Sequence, residues 1–314
     1  MKKLFVMTLA VAALASCSKV EPIEPGYKSA IGFGKSFVDN STKAAQLGAL
    51  DKDALKDFAV WANESDAAIL TNEKVSLGAT GWGYQNTRFW HPGNSYAFYA
   101  IAPFEAAEVG VPTTNIPTTI TYTLANGDIN SQVDLLYAAA TATTPDPLTS
   151  PMDTVKFTFN HLLSKVQFTF TNGHVAGSNY YVKINDVTIK AKNKSTLTIS
   201  SGNWVAEGDA TATLKFDTFN GDAAFAPQTT GVSDVQSLLI PNTDVAIAGT
   251  AEIYVGDEVQ LVETRPFTAN ISASTFKSGY FYNITATITS ENAIIFSVDD
   301  VEEWTPDNAT ANLN

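Results

Sequence analysis

Apolar and polar side chains alternate in short runs along this chain. In residues 155–159, Val155, Phe157 and Phe159 alternate with Lys156 and Thr158, and in residues 165–170, Val166, Phe168 and Phe170 alternate with Lys165, Gln167 and Thr169. In residues 280–288, Tyr280, Tyr282, Ile284, Ala286 and Ile288 share one face. A period of two sends one face to a core and the other to water, which predicts antiparallel strands of a β-sandwich. The first half carries the same signature at residues 30–38, 56–62, 94–103, 119–124 and 132–138. Each of these runs is short, rich in β-branched or aromatic residues, and bounded by Gly, Asn, Asp or Pro. Residues 181–191 lose phase at Asn185 and Asp186, which predicts a bulge or a tight turn. No long stretch has helical periodicity and no repeat has a fixed period, so the expected class is all-β.

Residues 141–153 interrupt the pattern with three prolines and few apolar side chains. They read as a domain boundary or as a long loop. As a boundary they give an N-terminal sandwich over 29–150 and a C-terminal sandwich over 151–314, in series.

The N-terminus follows a different logic. Lys2 and Lys3 precede an apolar run, Leu4 to Ala13, and small residues follow up to Cys17. That order is a secretory signal peptide, too short to span a membrane. Leu14-Ala15-Ser16-Cys17 resembles the bacterial lipobox, which implies removal of residues 1–16 and attachment of lipid to Cys17. At about 0.8 kcal/mol per buried CH2, two or three acyl chains hold a protein stably on a membrane. Residues 17–28 are polar and Pro-rich and read as a tether. Cys17 is the single cysteine, so no intrachain disulfide forms and stability rests on packing and strand pairing. The 314 residues carry a formal charge of −13, and loss of Lys2 and Lys3 makes the mature chain more acidic still. Such a surface repels nucleic acid.

Catalytic constellations are scarce. Gly34-Lys35-Ser36 ends like a phosphate-binding loop, but Ser29 stands where its first glycine belongs and no helix is expected to follow. "GWGYQN" at 81–86 lacks the third glycine of a dinucleotide fingerprint. His91, His161 and His174 show no zinc-ligand spacing, and His161 reads as orienting the start of a strand. Asp299, Asp300, Glu302 and Glu303 lie among neighbours that alternate as a strand, so their carboxylates do not all point one way toward a cation. The expectation is no catalytic residue, no metal and no cofactor. Trp61, Trp82, Trp90, Tyr96, Phe98 and Tyr99 crowd the first half, either as core or as a platform on which sugars stack.

Several motifs together resemble the fimbrillin family, the type V pilus subunits of the Bacteroidales. They are "RFWHPGNSYAFYAIAP" (88–103), with His91 between Trp90 and Pro92; "DLLYA" (134–138); "FTFNHLLSKVQFTF" (157–170); "LLIPNT" (238–243); "SGYFYNITATI" (278–288); and "IIFSVDDVEEW" (294–304). The lipobox, the linker and Thr42-Lys43-Ala44 add to the resemblance. It implies two transthyretin-like antiparallel β-sandwich domains and a role in adhesive pili. It also implies delivery as a lipoprotein to the outer membrane and cell surface, proteolytic removal of the first strand, and strand exchange with other pilus subunits. Candidate cut sites are Lys35 and Lys43, and Arg88 and Arg265 are the only arginines, which argues against an arginine-specific enzyme. A donor strand at the C-terminus would present Ala309, Ala311 and Leu313, which bury little apolar area. The expected role is therefore tip, accessory or anchor subunit rather than stalk, with a host or bacterial surface ligand as adhesion target. The alternative is a surface lipoprotein that binds glycans through exposed aromatics.

Overall fold

The computed structural model describes residues 28–34, 37–38, 55–125, 127, 129–290 and 294–303. Apart from three 3-10 turns, the regular elements among them are β-strands. A seven-stranded sheet runs in the order Phe37–Val38, Thr158–His161, Leu136–Thr143, Ser95–Ala102, Asp57–Glu64, Ala67–Gly78, Gly81–Gly83. A two-stranded ribbon pairs Ser29–Ala30 with Phe89–Trp90. Ile31, Phe33 and Trp90, from the ribbon and the residues after it, pack on Phe58, Val60 and Phe98 of the large sheet to make the first core.

The second half stacks two sheets. One contains Thr230–Val232, Ser164–Asn172, Tyr280–Ile288 and Ile294–Glu303, with Ser237–Leu239 also joined to Ser164–Asn172. The other runs Thr211–Phe216, Tyr180–Lys192, Val245–Val255, Gln260–Ile271. Phe168, Phe170, Ile184, Ile189, Phe216, Ile247 and Ile284 meet between them. The period-two faces read from the sequence point inward as expected: Val166, Phe168 and Phe170 are buried, as are Tyr282, Ile284, Ala286 and Ile288. The phase slip at Asn185 and Asp186 is a bulge against Val245–Val255, with Asp186 at a φ of 54°.

Three features depart from the simplest antiparallel sandwich. Ser164–Asn172 runs parallel to Tyr280–Ile288, from Lys165 opposite Phe281 to Asn172 opposite Ile288. Parallel neighbours need a long crossover, and more than a hundred residues separate these two (Thr169 bonds Asn283 across 114 positions). The strand expected at 132–138 begins only at Leu136 and continues to Thr143. At Gln132 the side-chain amide replaces a ladder pair, with Nε2 donating to the Leu238 carbonyl at 3.0 Å and the Leu238 N–H donating to Oε1 at 2.7 Å. Finally, residues on either side of position 150 are paired. Leu136 faces His161 and Tyr137 faces Asn160 in the large sheet. Thr119–Thr123 pairs with Lys194–Thr198 in a four-stranded sheet completed by Val109–Gly110 and Asn203–Ala206.

Asp57–Glu64 is buried on both faces. Phe58, Val60 and Ala62 enter the first core, while Ala59 and Trp61 enter the cluster that extends into the second half. A strand covered on both sides carries a continuous apolar run, which is how "FAVWA" reads. Among the described residues no helix is long and apolar enough to cross a membrane.

Candidate functional site

The segment Ser29–Gly34 lies in a seat built from several strands. On one side Ser29 and Ala30 pair with Trp90 and Phe89, and the Ile31 N–H donates to the Arg88 carbonyl at 2.8 Å. On the other side Phe33 bridges Val155 in parallel. There the Val155 N–H donates to the Gly32 carbonyl and the Gly34 N–H donates to the Val155 carbonyl, each at 2.8 Å. The chain then continues to Phe37–Val38, which pairs in parallel with Thr158–Phe159 at the edge of the large sheet. Side chains add two anchors. The Tyr84 hydroxyl donates to the Ile31 carbonyl at 2.9 Å, and the Met152 N–H donates to Ser29 Oγ at 3.1 Å.

Alternation decides which side chains the seat receives. Ile31 is 1% exposed and Phe33 5% exposed. The Phe33 ring stacks at 5.9 Å on Phe157, and meets Tyr84 at 5.3 Å, Phe58 at 6.2 Å and Phe98 at 6.4 Å edge-on. Burial of an Ile and a Phe stabilises by about 1.5–3 kcal/mol each, and the paired backbone groups satisfy two strand edges at once. Removal of this segment exposes an aromatic trench and a row of unpaired N–H and C=O groups. Chemically, the seat accepts one extended peptide with large apolar side chains two residues apart.

A second buried constellation lies elsewhere. Asp134 and His161 meet as a buried pair, Nδ1 against Oδ2, with 1% and 5% exposure. Lys165 lies near them and its ammonium is 5.8 Å from the Phe281 ring. Burial holds the Lys165 amine below the usual lysine range, opposed by the charge of Asp134. Burial, then the charges of Asp134 and Glu108, push the Tyr122 phenol up, while its hydroxyl donates to the Val133 carbonyl. Bulk solvent and substrate do not reach this pair. It ties the chain before Leu136 to His161, which is the last residue of the Thr158–His161 strand rather than the start of one.

The other histidines are held separately. His91 Nδ1 is 2.7 Å from Glu64 Oε1, and His174 Nδ1 is 2.8 Å from Asn172 Oδ1. The glycan-platform alternative needs exposed aromatics, and four of the six residues named for it are buried. Trp61, Trp90, Tyr96 and Phe98 are buried, and the partly covered Trp82 lies 5.0 Å from the Phe58 ring. Tyr99 is half-buried and belongs to neither apolar cluster.

Of the residues singled out in the sequence, Cys17, Lys35, Lys43, Ala309, Ala311 and Leu313 lie outside the described residues. The seat adds residues that sequence reasoning missed: Gly32, Gly34, Tyr84 and Thr154. The available signal was glycine at alternate positions of a strand pattern, which marks close backbone approach.

Comparison with known proteins follows the same lines. The profile of the family described as fimbrillin-like matches residues 42–304. The fimbrium subunit Fim1C of Phocaeicola vulgatus (strain ATCC 8482) is 24% identical over 189 residues, which cover 52% of this chain and 50% of that protein. The chain thus spans about half the length of this curated relative. The crystal structure of a fimbrial protein from Bacteroides vulgatus ATCC 8482 superposes with a TM-score of 0.64 at 15% identity, covering 88% of this chain and 100% of that one.

Proposed function

Because the chain belongs to the fimbrillin-like family, we propose that it is a fimbrial subunit, delivered as a lipoprotein and assembled by β-strand addition. The observation that carries this reading is the seat of Ser29–Gly34, where a short segment near the N-terminus fills a trench between strands contributed by residues 88–90 and 155–159. Cys17 carries the lipid that takes the protein to the outer membrane. Cleavage after Lys35 or Lys43 frees the segment, and a strand from another pilus subunit replaces it.

Ala309, Ala311 and Leu313 make a weak donor, because two of the three are alanines and bury little area. The subunit therefore serves at the tip, as an accessory or as an anchor rather than in the stalk, on the cell surface. The proposed architecture is two sandwiches in series, which meet through the large sheet.

The test is the N-terminal residue of the protein isolated from fimbriated cells. Ser36 or Ala44 is the expected start of a subunit opened for assembly; a lipidated Cys17 that persists in filaments leaves only the anchor role and overturns exchange at this seat. Protease-trimmed protein alone is expected to give no ladder on denaturing gels; robust self-polymerisation overturns the weak-donor assignment.

A further inference from the structure

Glycines alternate with the large residues of the seated segment: Gly32 and Gly34 flank Phe33, and Ile31 precedes them. Glycine weakens a strand interior by backbone entropy and lost packing, so its presence here calls for a contact that excludes a side chain. That contact is Thr154. A Cβ added at Gly32 lies 3.2 Å from Thr154 Cγ2. One added at Gly34 overlaps the Thr154 hydroxyl and lies 3.3 Å from both Thr154 Cβ and Lys156 Cγ. Neither glycine has a positive φ, so the requirement is space rather than backbone conformation.

Rotation of Thr154 does not remove the obstacle. Its two γ substituents fill two of the three staggered positions, and two of those positions face the glycines. Every rotamer therefore leaves at least one glycine covered. The backbone beside it is also fixed, because Val155 bonds both Gly32 and Gly34.

Resting on the exchange reading above, we propose that the seat selects its partner by glycine. The incoming strand comes from a different subunit and carries large apolar residues at the Ile31 and Phe33 sites, with glycine at the two sites under Thr154. Residues 304–314 of this chain do not meet that pattern. Residues 294–314 contain no glycine. Ala309 and Ala311 at the glycine sites would send Thr310 or Asn312 into the aromatic trench. The opposite register presses Thr310 and Asn312 against Thr154.

The test uses full-length protein cut by a lysine-specific protease, with circular dichroism to check that it stays folded. Three labelled peptides are offered: residues 28–38, the same peptide with Gly32→Val and Gly34→Val, and residues 304–314. The first is captured, and the valine peptide binds about ten- to a hundred-fold more weakly, as expected for overpacking. The C-terminal peptide is not captured, and Thr154→Gly protein recovers the valine peptide. Equal capture of the first two peptides, or no recovery with Thr154→Gly, overturns glycine selection and leaves strand exchange standing. A folded, trimmed protein that captures none of the peptides overturns both. If trimming unfolds the protein, the intact chain decides: Gly34→Val lowers the melting temperature and Thr154→Gly restores it, and failure to restore it overturns the selection.

Discussion

At the scale of single residues, the energetic weight lies in polar groups sealed inside the protein. Loss of one partner of a buried polar pair leaves the other without its neighbour and out of reach of water, so Asp134→Ala is expected to cost about 1–3 kcal/mol in chemical denaturation. The His161 pair was half legible: the histidine stood out, but nothing in "DLLYA" says that its aspartate turns inward to meet it. A carboxylate inside an apolar run is the signature, and it is read only once both strands are in register. Glu64 gives a pH signature. Burial opposes its ionisation, but bonds from Asn94, Tyr96 and His91 outweigh that and hold its carboxyl below the ordinary value of 4.5. A depressed carboxylate stabilises above its unfolded value and loses that contribution as pH falls through its folded one. The acid limb of the stability curve, below about pH 4.5, is therefore expected to be shallower in Glu64→Gln than in the native protein, measured by thermal melts across pH.

At the scale of elements, strands whose apolar and polar side chains alternate were legible and strands without that contrast were not, although the polar face of Ser164–Asn172 is itself covered, with Lys165 buried. Ser164–Asn172 and Tyr280–Ile288 announce themselves because every second side chain is apolar. Ala67–Gly78 buries only Leu70 and Val75 of its twelve residues, so its period is lost among polar side chains. Lys194–Thr198 holds one large apolar residue, Leu197, and owes its extended form to Thr119–Thr123 beside it. The seat segment was legible as a strand but not as an insertion between two others, since pairing partners leave no mark on its own residues. Its hold depends mainly on two side chains. Phe33→Ala is expected to cost about 3–5 kcal/mol, read in a denaturant titration, and to speed cleavage after Lys35. Unchanged stability with Phe33→Ala shows that the segment is not held by this ring.

At the scale of the whole molecule, the position of Asp57–Glu64 between two apolar clusters couples the halves. Scanning calorimetry is expected to give a single transition, because neither core keeps its wall when the large sheet melts. Two well-separated transitions show that the halves unfold independently. A proline-rich stretch at 141–153 looks like a break because composition reports local stiffness and polarity, and says nothing about strands that reach across it. The pairing of Thr119–Thr123 with Lys194–Thr198 has a consequence in time. Thr121 and Thr196, whose hydroxyls bond at 2.8 Å, are 75 positions apart in the chain. At about 5–20 residues per second of synthesis, the earlier strand waits several seconds before its neighbour exists. Contacts of such separation slow folding and leave an unpaired edge open meanwhile. The newborn protein thus has a sticky childhood, and what escorts it through that interval matters as much to its yield as any contact in the finished fold.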